Sequence, residues 1–281
     1  MVDALSFLAA PFVMCLFIAA IHVYLGLHIL ERGVIFVDLS LAQVAALGAT
    51  VAEVFGADEH GLGAHVAAMT FTAVGAAIFA FTRRARKSVS QEALVGVVYA
   101  VASAVTVLVL SGSPHGGDHI KDTLVGTLLL ASWDQVLRDL VIYSLIGLAE
   151  IALAKRFIQI SWHPDQAEAE SKRVEWWDLL FYLLFGLVVT ISVQVAGILV
   201  VFSYLIVPAV ITSMFSRRIA VRLIAGWVIA VLASTAGLAG SWAWDLPTGA
   251  TIVATFGALL FLAGIVRALL GKRGARELAA T

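Results

Sequence analysis

Charge is what this sequence has least of. Of its 281 residues only 13% are Asp, Glu, Lys or Arg, against ~25% in an ordinary soluble domain. Too little solvating charge is present for water to be the main solvent. Cysteine is nearly absent: Cys15 stands alone in an apolar run, which excludes a disulfide framework or a CxxC metal site within one chain. There is no basic excess either. A net charge of −1 makes no case for a nucleic-acid partner. No GxxxxGK[ST] occurs, since Val266 occupies the position of the first Gly before Gly271-Lys272 and Arg273 follows the Lys, so a Walker-type ATP site is excluded. HExxH and GxSxG are missing as well, which removes the commonest intramembrane protease readings. No basic residue precedes Leu5, and the first apolar run is long enough to span and stay, so no cleavable leader is expected.

What is there is apolar: 61% hydrophobic residues and a mean hydropathy of +0.99. The length accommodates about eight or nine spans of ~20 residues each. The expected architecture is an all-α, polytopic membrane bundle forming one domain over 1–281, with no separate soluble domain. Apolar runs bounded by charge place candidate spans at 4–30, 33–55, 64–81, 93–110, 135–154, 176–193, 197–215, 221–242 and 249–270. Basic residues orient them. With Arg83, Arg84, Arg86, Lys87, Lys155, Arg156, Lys172, Arg173, Arg217, Arg218, Arg222, Lys272, Arg273, Arg276, Arg32 and Arg267 inside, only Lys121 and Arg138 of the 18 basic residues lie outside. Nine spans then put the N-terminus outside and the C-terminus in the cytoplasm, at the cell (inner or plasma) membrane. The stretch from Trp176 to Phe215 is about two spans long between two cytoplasmic flanks, so it crosses twice and turns near Gln194 to Gly197. If the first or the seventh region does not span fully, the count is eight.

Polar residues in such a chain are the candidate functional ones. His115, Asp118 and His119, in the outward loop between the fourth and fifth spans, supply the imidazole and carboxylate donors that suit zinc, manganese and iron(II). Gly116-Gly117 between them favours a loop, and a plain solvated loop is the alternative reading. Asp58, Glu59 and His60 with His65 form a second outward cluster, which serves as a polar turn or as acidic attraction for a cation. A polar residue inside a span costs roughly 2.5–3.5 kcal/mol at a helix centre and usually turns inward. On that ground Asp38 and Gln43 in the second span and Gln194 at the expected hairpin are candidates for a translocation path. Asp38 equally suits a helix cap or a pairing with Arg32. Glu53 also lies in the second span. His22 and His28 read as hydrogen-bonded packing residues, and Glu92 and Glu150, near span ends, as neither buried nor functional. Small residues such as Ala42, Ala45, Ala46, Gly48, Ala233 and Gly237 allow close helix approach.

The cytoplasmic segment 161–173, SWHPDQAEAESKR, has Pro164 at a helix start, acids in the first turns and Lys-Arg at the end. That is the charge order of a short helix, and an exposed helix of this length needs a partner to hold it.

Three blocks carry a family resemblance: RGVIFVDLSLAQVAALGATVA, QEALVGVVYAVASAVTVLVL with the following DTLVG and SWDQV, and the C-terminal pair GILVVFSYLIVPAVIT and DLPTGATIVATFGALLF. Over roughly 27–267 the chain resembles the permease subunits of ABC transporters that import zinc, manganese or iron(II). Many relatives have Ser-His-Ala in the first block; this chain lacks that His and has Gln43 nearby. The resemblance implies a permease homodimer in the lipid bilayer, a separate ATPase subunit that binds the ATP, and an extracytoplasmic metal-binding protein that delivers the ion. The permease itself is then not an enzyme and holds no permanent cofactor; the divalent metal is its cargo. The family's Ser-aromatic-x-Pro segment docks on the ATPase. Here that assigns ATPase coupling to His163, Pro164, Asp165, Gln166 and Glu168, although the Leu-Gly ending of many relatives is absent. Two alternatives stay open: an ATP-independent secondary transporter or channel, and an ABC permease for a cobalamin- or haem-type ligand.

Overall fold

The computed structural model describes residues 2–58, 61–82, 90–111, 126–170 and 173–278, with side chains from 6 to 270. The apolar runs fold as α1 (Val2–Arg32), α2 (Val37–Val54), α3 (Leu62–Phe81), α4 (Gln91–Leu110), α5 (Trp133–Trp162), α6 (Pro164–Glu170), α7 (Val174–Ala196), α8 (Ile198–Ser213), α9 (Ile219–Trp244) and α10 (Thr248–Leu278), with a 3-10 turn at Leu128–Leu130 before α5. No strand occurs among the described residues.

Local chemistry sets the ends. Ser90 and Ser132 cap α4 and α5, their hydroxyls accepting from the amides of Ala93 (3.2 Å) and Gln135 (3.3 Å), which satisfies amide donors a helix start leaves open. Arg32 is followed by Gly33 at φ +67°, and α7 gives way to α8 at Gly197, φ +79°, a conformation favourable only for a residue without Cβ. That places the chain break expected near Gln194 to Gly197 at Gly197 itself.

Helices occupy all nine regions read as spans, but they differ in fitness for a bilayer. Seven are long and apolar enough to cross it: α1, α2, α3, α4, α7, α9 and α10. The helix α5 runs for 30 residues, about 45 Å, and continues eight residues past the expected limit at Ala154, so Lys155 and Arg156 are helical rather than in a loop. Asp134, Arg138, Asp139 and Glu150 add to its charge. At 16 residues α8 is about 24 Å long, shorter than a hydrocarbon core of ~30 Å.

Packing divides the labour. On one side α2 lies against α3 and α4, and α3 and α2 rest on α7; on the other, α8, α9 and α10 pack together and α8 and α9 lie along α1. Between them α1, α7 and α8 supply much of the core, with Met14, Ile18, Leu25, Phe181, Phe185, Val188, Val200 and Leu205 fully buried. Cys15 is buried here too, beside Tyr204 and Ser234, whose hydroxyls are 2.5 Å apart. Close approach depends on glycine at two places. A Cβ on Gly26 would meet the carbonyl oxygen of Leu205 at 1.9 Å, and one on Gly126 the Ala196-Gly197 peptide at 2.2–2.3 Å. Thr127 fastens the second contact, its amide donating to Val195 O at 3.0 Å. By contrast Phe261, Leu262 and Leu269 of α10 are exposed, as suits a surface facing lipid.

Candidate functional site

The richest polar constellation gathers where α1 and α5 end and α2, α4, α7 and α9 begin. Arg32 Nη1 donates to Asp178 Oδ1 at 2.7 Å, with both side chains 2% exposed. Arg32 Nε donates to Ser161 Oγ at 2.9 Å, and the guanidinium lies 3.9 Å from the ring centre of Phe181. The same hydroxyl meets His28 Nδ1 at 2.9 Å, and His28 packs edge-on against Trp162 and Tyr24. One residue back, Glu31 Oε1 accepts from Arg222 Nη1 of α9. Nearby, Gln91 Nε2 donates to Phe79 O (3.2 Å) and Tyr182 Oη (3.3 Å). A buried ion pair recovers its desolvation only when further hydrogen bonds complete it; Ser161 and the ring of Phe181 serve that purpose here.

This arrangement corrects one expectation. The partner of Arg32 is Asp178, and Asp38 is left with a buried Oδ1 that has no hydrogen-bond partner among the described residues. Asp38 is 2% exposed in the first turn of α2. Glu92 reaches the same turn: its Oε1 accepts from Phe36 N at 3.2 Å, while its Oε2 is buried and has no hydrogen-bond partner among the described residues. Asp38 and Glu92 are within electrostatic reach of each other. Glu150 overturns another expectation. It is 1% exposed, and neither carboxylate oxygen has a partner among the described residues, because its position on α5 faces α1 rather than a span end in water.

Gln43 is half-buried on α2 and Gln194 exposed at the end of α7. His22 and His28 are packing residues as expected, with His22 Nδ1 2.9 Å from Ile18 O. His65 Nδ1 lies 3.0 Å from Gly61 O and Asp58 is exposed, a polar turn. His115, Asp118 and His119 lie outside the described residues, as do Glu59 and His60. Among the described residues no group of three or more His, Cys, Asp or Glu is placed to hold a metal ion.

The short helix expected after Pro164 is α6. His163, Asp165, Gln166 and Glu168 are exposed and Pro164 half-buried, while Ala167 is buried against Ile160, Val174 and Trp177. Gln159 Nε2 donates to Glu170 Oε2 at 2.6 Å. The helix is therefore held by its own chain as well, fixed to the corner between α5 and α7, with an acidic face turned outward. Sequence reasoning missed the burial of Asp178, Glu150, Asp139 and Arg222; a charge inside an apolar run was the available signal.

The fold has solved counterparts. It superposes on PsaBC from Streptococcus pneumoniae in complex with Fab with a TM-score of 0.75, at 18% identity, covering 93% of each chain. Curated relatives include the manganese transport system membrane proteins MntC of Halalkalibacterium halodurans, 25% identical over 98% of this chain and 95% of that one, and of Listeria monocytogenes, 21% identical over 92% and 90%. With seven helices fit to cross a bilayer, the chain is a multi-pass protein of the cell membrane. The family model described as "ABC 3 transport family" matches residues 4–267, nearly the whole described bundle, and the chain belongs to that family.

Proposed function

We propose that this chain is the membrane permease of an ABC importer for a divalent transition-metal ion, with manganese ahead of zinc and iron(II). The observation that carries the reading is its full-length match to manganese transport membrane proteins. Two copies would enclose the path, an ATPase would dock on the exposed face of α6, and an extracytoplasmic protein would deliver the ion. The end of the bundle that carries Arg32, Arg173, Arg217, Arg218 and Arg222 also carries α6, which supports a cytoplasmic placement. On that placement Asp38, with Glu92 beside it, lies near the cytoplasmic end of the path. The buried Asp38 Oδ1, without a hydrogen-bond partner among the described residues, supports a role as a transient ligand, because such a group inside a membrane needs a partner or a pathway. Gln43 and Gln194 are the weaker path candidates.

The deciding experiment compares manganese, zinc and iron content of cells with and without the gene, and of cells in which 163–170 is replaced by a Gly/Ser linker. Loss of the gene should lower one metal selectively, and the linker should reproduce that loss while the chain still reaches the membrane. Uptake that survives the linker would remove the ATPase from α6 and leave the secondary-transporter reading.

A second expectation concerns capture. Replacing His115, Asp118 and His119 together by Ala should raise the half-saturating metal concentration about tenfold, equivalent to ~1.4 kcal/mol of binding, with the maximal rate kept. Unchanged uptake at limiting metal would make this segment ordinary solvated surface.

A further inference from the structure

The buried cluster at Arg32 joins three elements that have no sequence proximity. Its Ser161 arm belongs to the last turn of α5, two residues before His163, from which α6 departs. Its Asp178 arm belongs to the first turns of α7, on the far side of α6. The helix α6 is itself fixed to both, through Gln159–Glu170 and through Ala167 between Ile160 and Val174. Arg32 closes α1, and four residues, 33–36, lead from it into α2 and Asp38. Gly33 in that link has φ +67°, and Val34 beside it is fully buried in the core, so the link follows the packing at the end of α1.

We propose that Arg32 is the positioning residue through which α6 sets the placement of α1 and of the turn leading to Asp38. The inference rests on the reading of α6 as the ATPase-docking helix. A displacement of α6 moves the α5–α7 corner with it, because the two are packed and hydrogen-bonded together. The corner grips Arg32 from two sides, and Glu31 passes the motion to α9 through Arg222. Stability alone does not require such a cluster, since well-packed apolar residues of similar volume replace a buried ion pair at little cost or with a gain. What an apolar replacement lacks is direction: it fills the space but lets the helix ends slide past one another.

That difference supplies the test. The double variant Arg32→Met/Asp178→Leu, made in a Glu150→Gln background so that the buried carboxylate that Arg32 attracts is not left charged, is assembled with its ATPase in proteoliposomes and compared with that background alone. Thermal stability should be retained, ATP hydrolysis should stay within about twofold, and manganese taken up per ATP should fall roughly tenfold, within the span of measured coupling factors. The milder Ser161→Ala should lower the same ratio, and Ser161→Thr, which keeps the hydroxyl, should restore it. An unchanged ratio in the double variant would overturn the proposal. So would parallel losses of uptake, hydrolysis and stability, which mark a purely structural cluster. Hydrogen exchange at the amides of 33–36, with and without nucleotide, separates this inference from the functional reading. If the native complex moves no manganese yet nucleotide alters exchange there only when the cluster is intact, the import reading fails and the positioning role stands. If nucleotide alters exchange equally in the double variant, the positioning role fails.

Discussion

Gly26→Ala is expected to melt well below the native chain. Helix propensity alone argues the other way, since Ala is favoured over Gly inside a helix by ~1 kcal/mol. Against that, the added Cβ would lie 1.9 Å from Leu205 O and 2.8 Å from the carbonyl carbon. Backbone cannot rotate out of the way as a side chain does, so α1 and α8 must separate by more than an ångström along a contact that forms much of the core. Overpacking of this sort costs ~1–3 kcal/mol and sometimes more, and here the upper end applies. Two kilocalories net, on the order of 5 °C in a chain of this size, should appear in thermal unfolding of the purified protein. Gly257→Ala is the control, because among the described residues no atom beyond its own stretch of helix lies within 4 Å of the Cβ it would add. A Gly26→Ala chain as stable as native would mean that α1 and α8 do not touch as described.

Asp38→Asn should separate folding from transport. The side chain keeps its shape, loses a buried charge whose Oδ1 has no partner among the described residues, and gives up a favourable position in the first turn of α2. The dipole interaction is worth ~0.3–1 kcal/mol, up to ~2 when partly buried, and relief of desolvation opposes it. Stability should therefore change little. Metal handling should not: on the proposed reading an anionic ligand is lost from the path, and ~1.5–3 kcal/mol, taken from a hydrogen bond to a charged group, corresponds to roughly 10–100-fold in apparent affinity. Uptake at low manganese is the measurement. Native uptake in a stable Asp38→Asn chain would reduce Asp38 to a helix-end residue, and loss of the folded chain would make it structural.

Much of this molecule could be read from spacing alone. Long apolar runs gave helices in all nine places because a membrane leaves the backbone few other ways to satisfy its hydrogen bonds. Gly197 could be located because an apolar segment of double length must break somewhere. Pro164 with Asp165 and Glu168 marked α6 because a helix start favours both. What stayed illegible was long-range pairing. Arg32 and Asp178 are 146 residues apart, and sequence offered Asp38, much nearer, as a partner for Arg32 or equally as a helix cap. Glu150 has no acid or base within four residues of it in sequence, so its burial follows only from which face of α5 meets α1. The length of α8 was hidden for a different reason: an apolar run reports where a helix can lie, while Met214 and the turn before Ser216 decide where it stops.

Cys15 has a practical consequence. The only thiol in the sequence is fully buried beside Tyr204 and Ser234, out of reach of reagents dissolved on either side of the bilayer. A cysteine introduced at the surface of the native chain is then the sole addressable one, so fluorophores, spin labels and crosslinkers can be placed singly without first engineering the background.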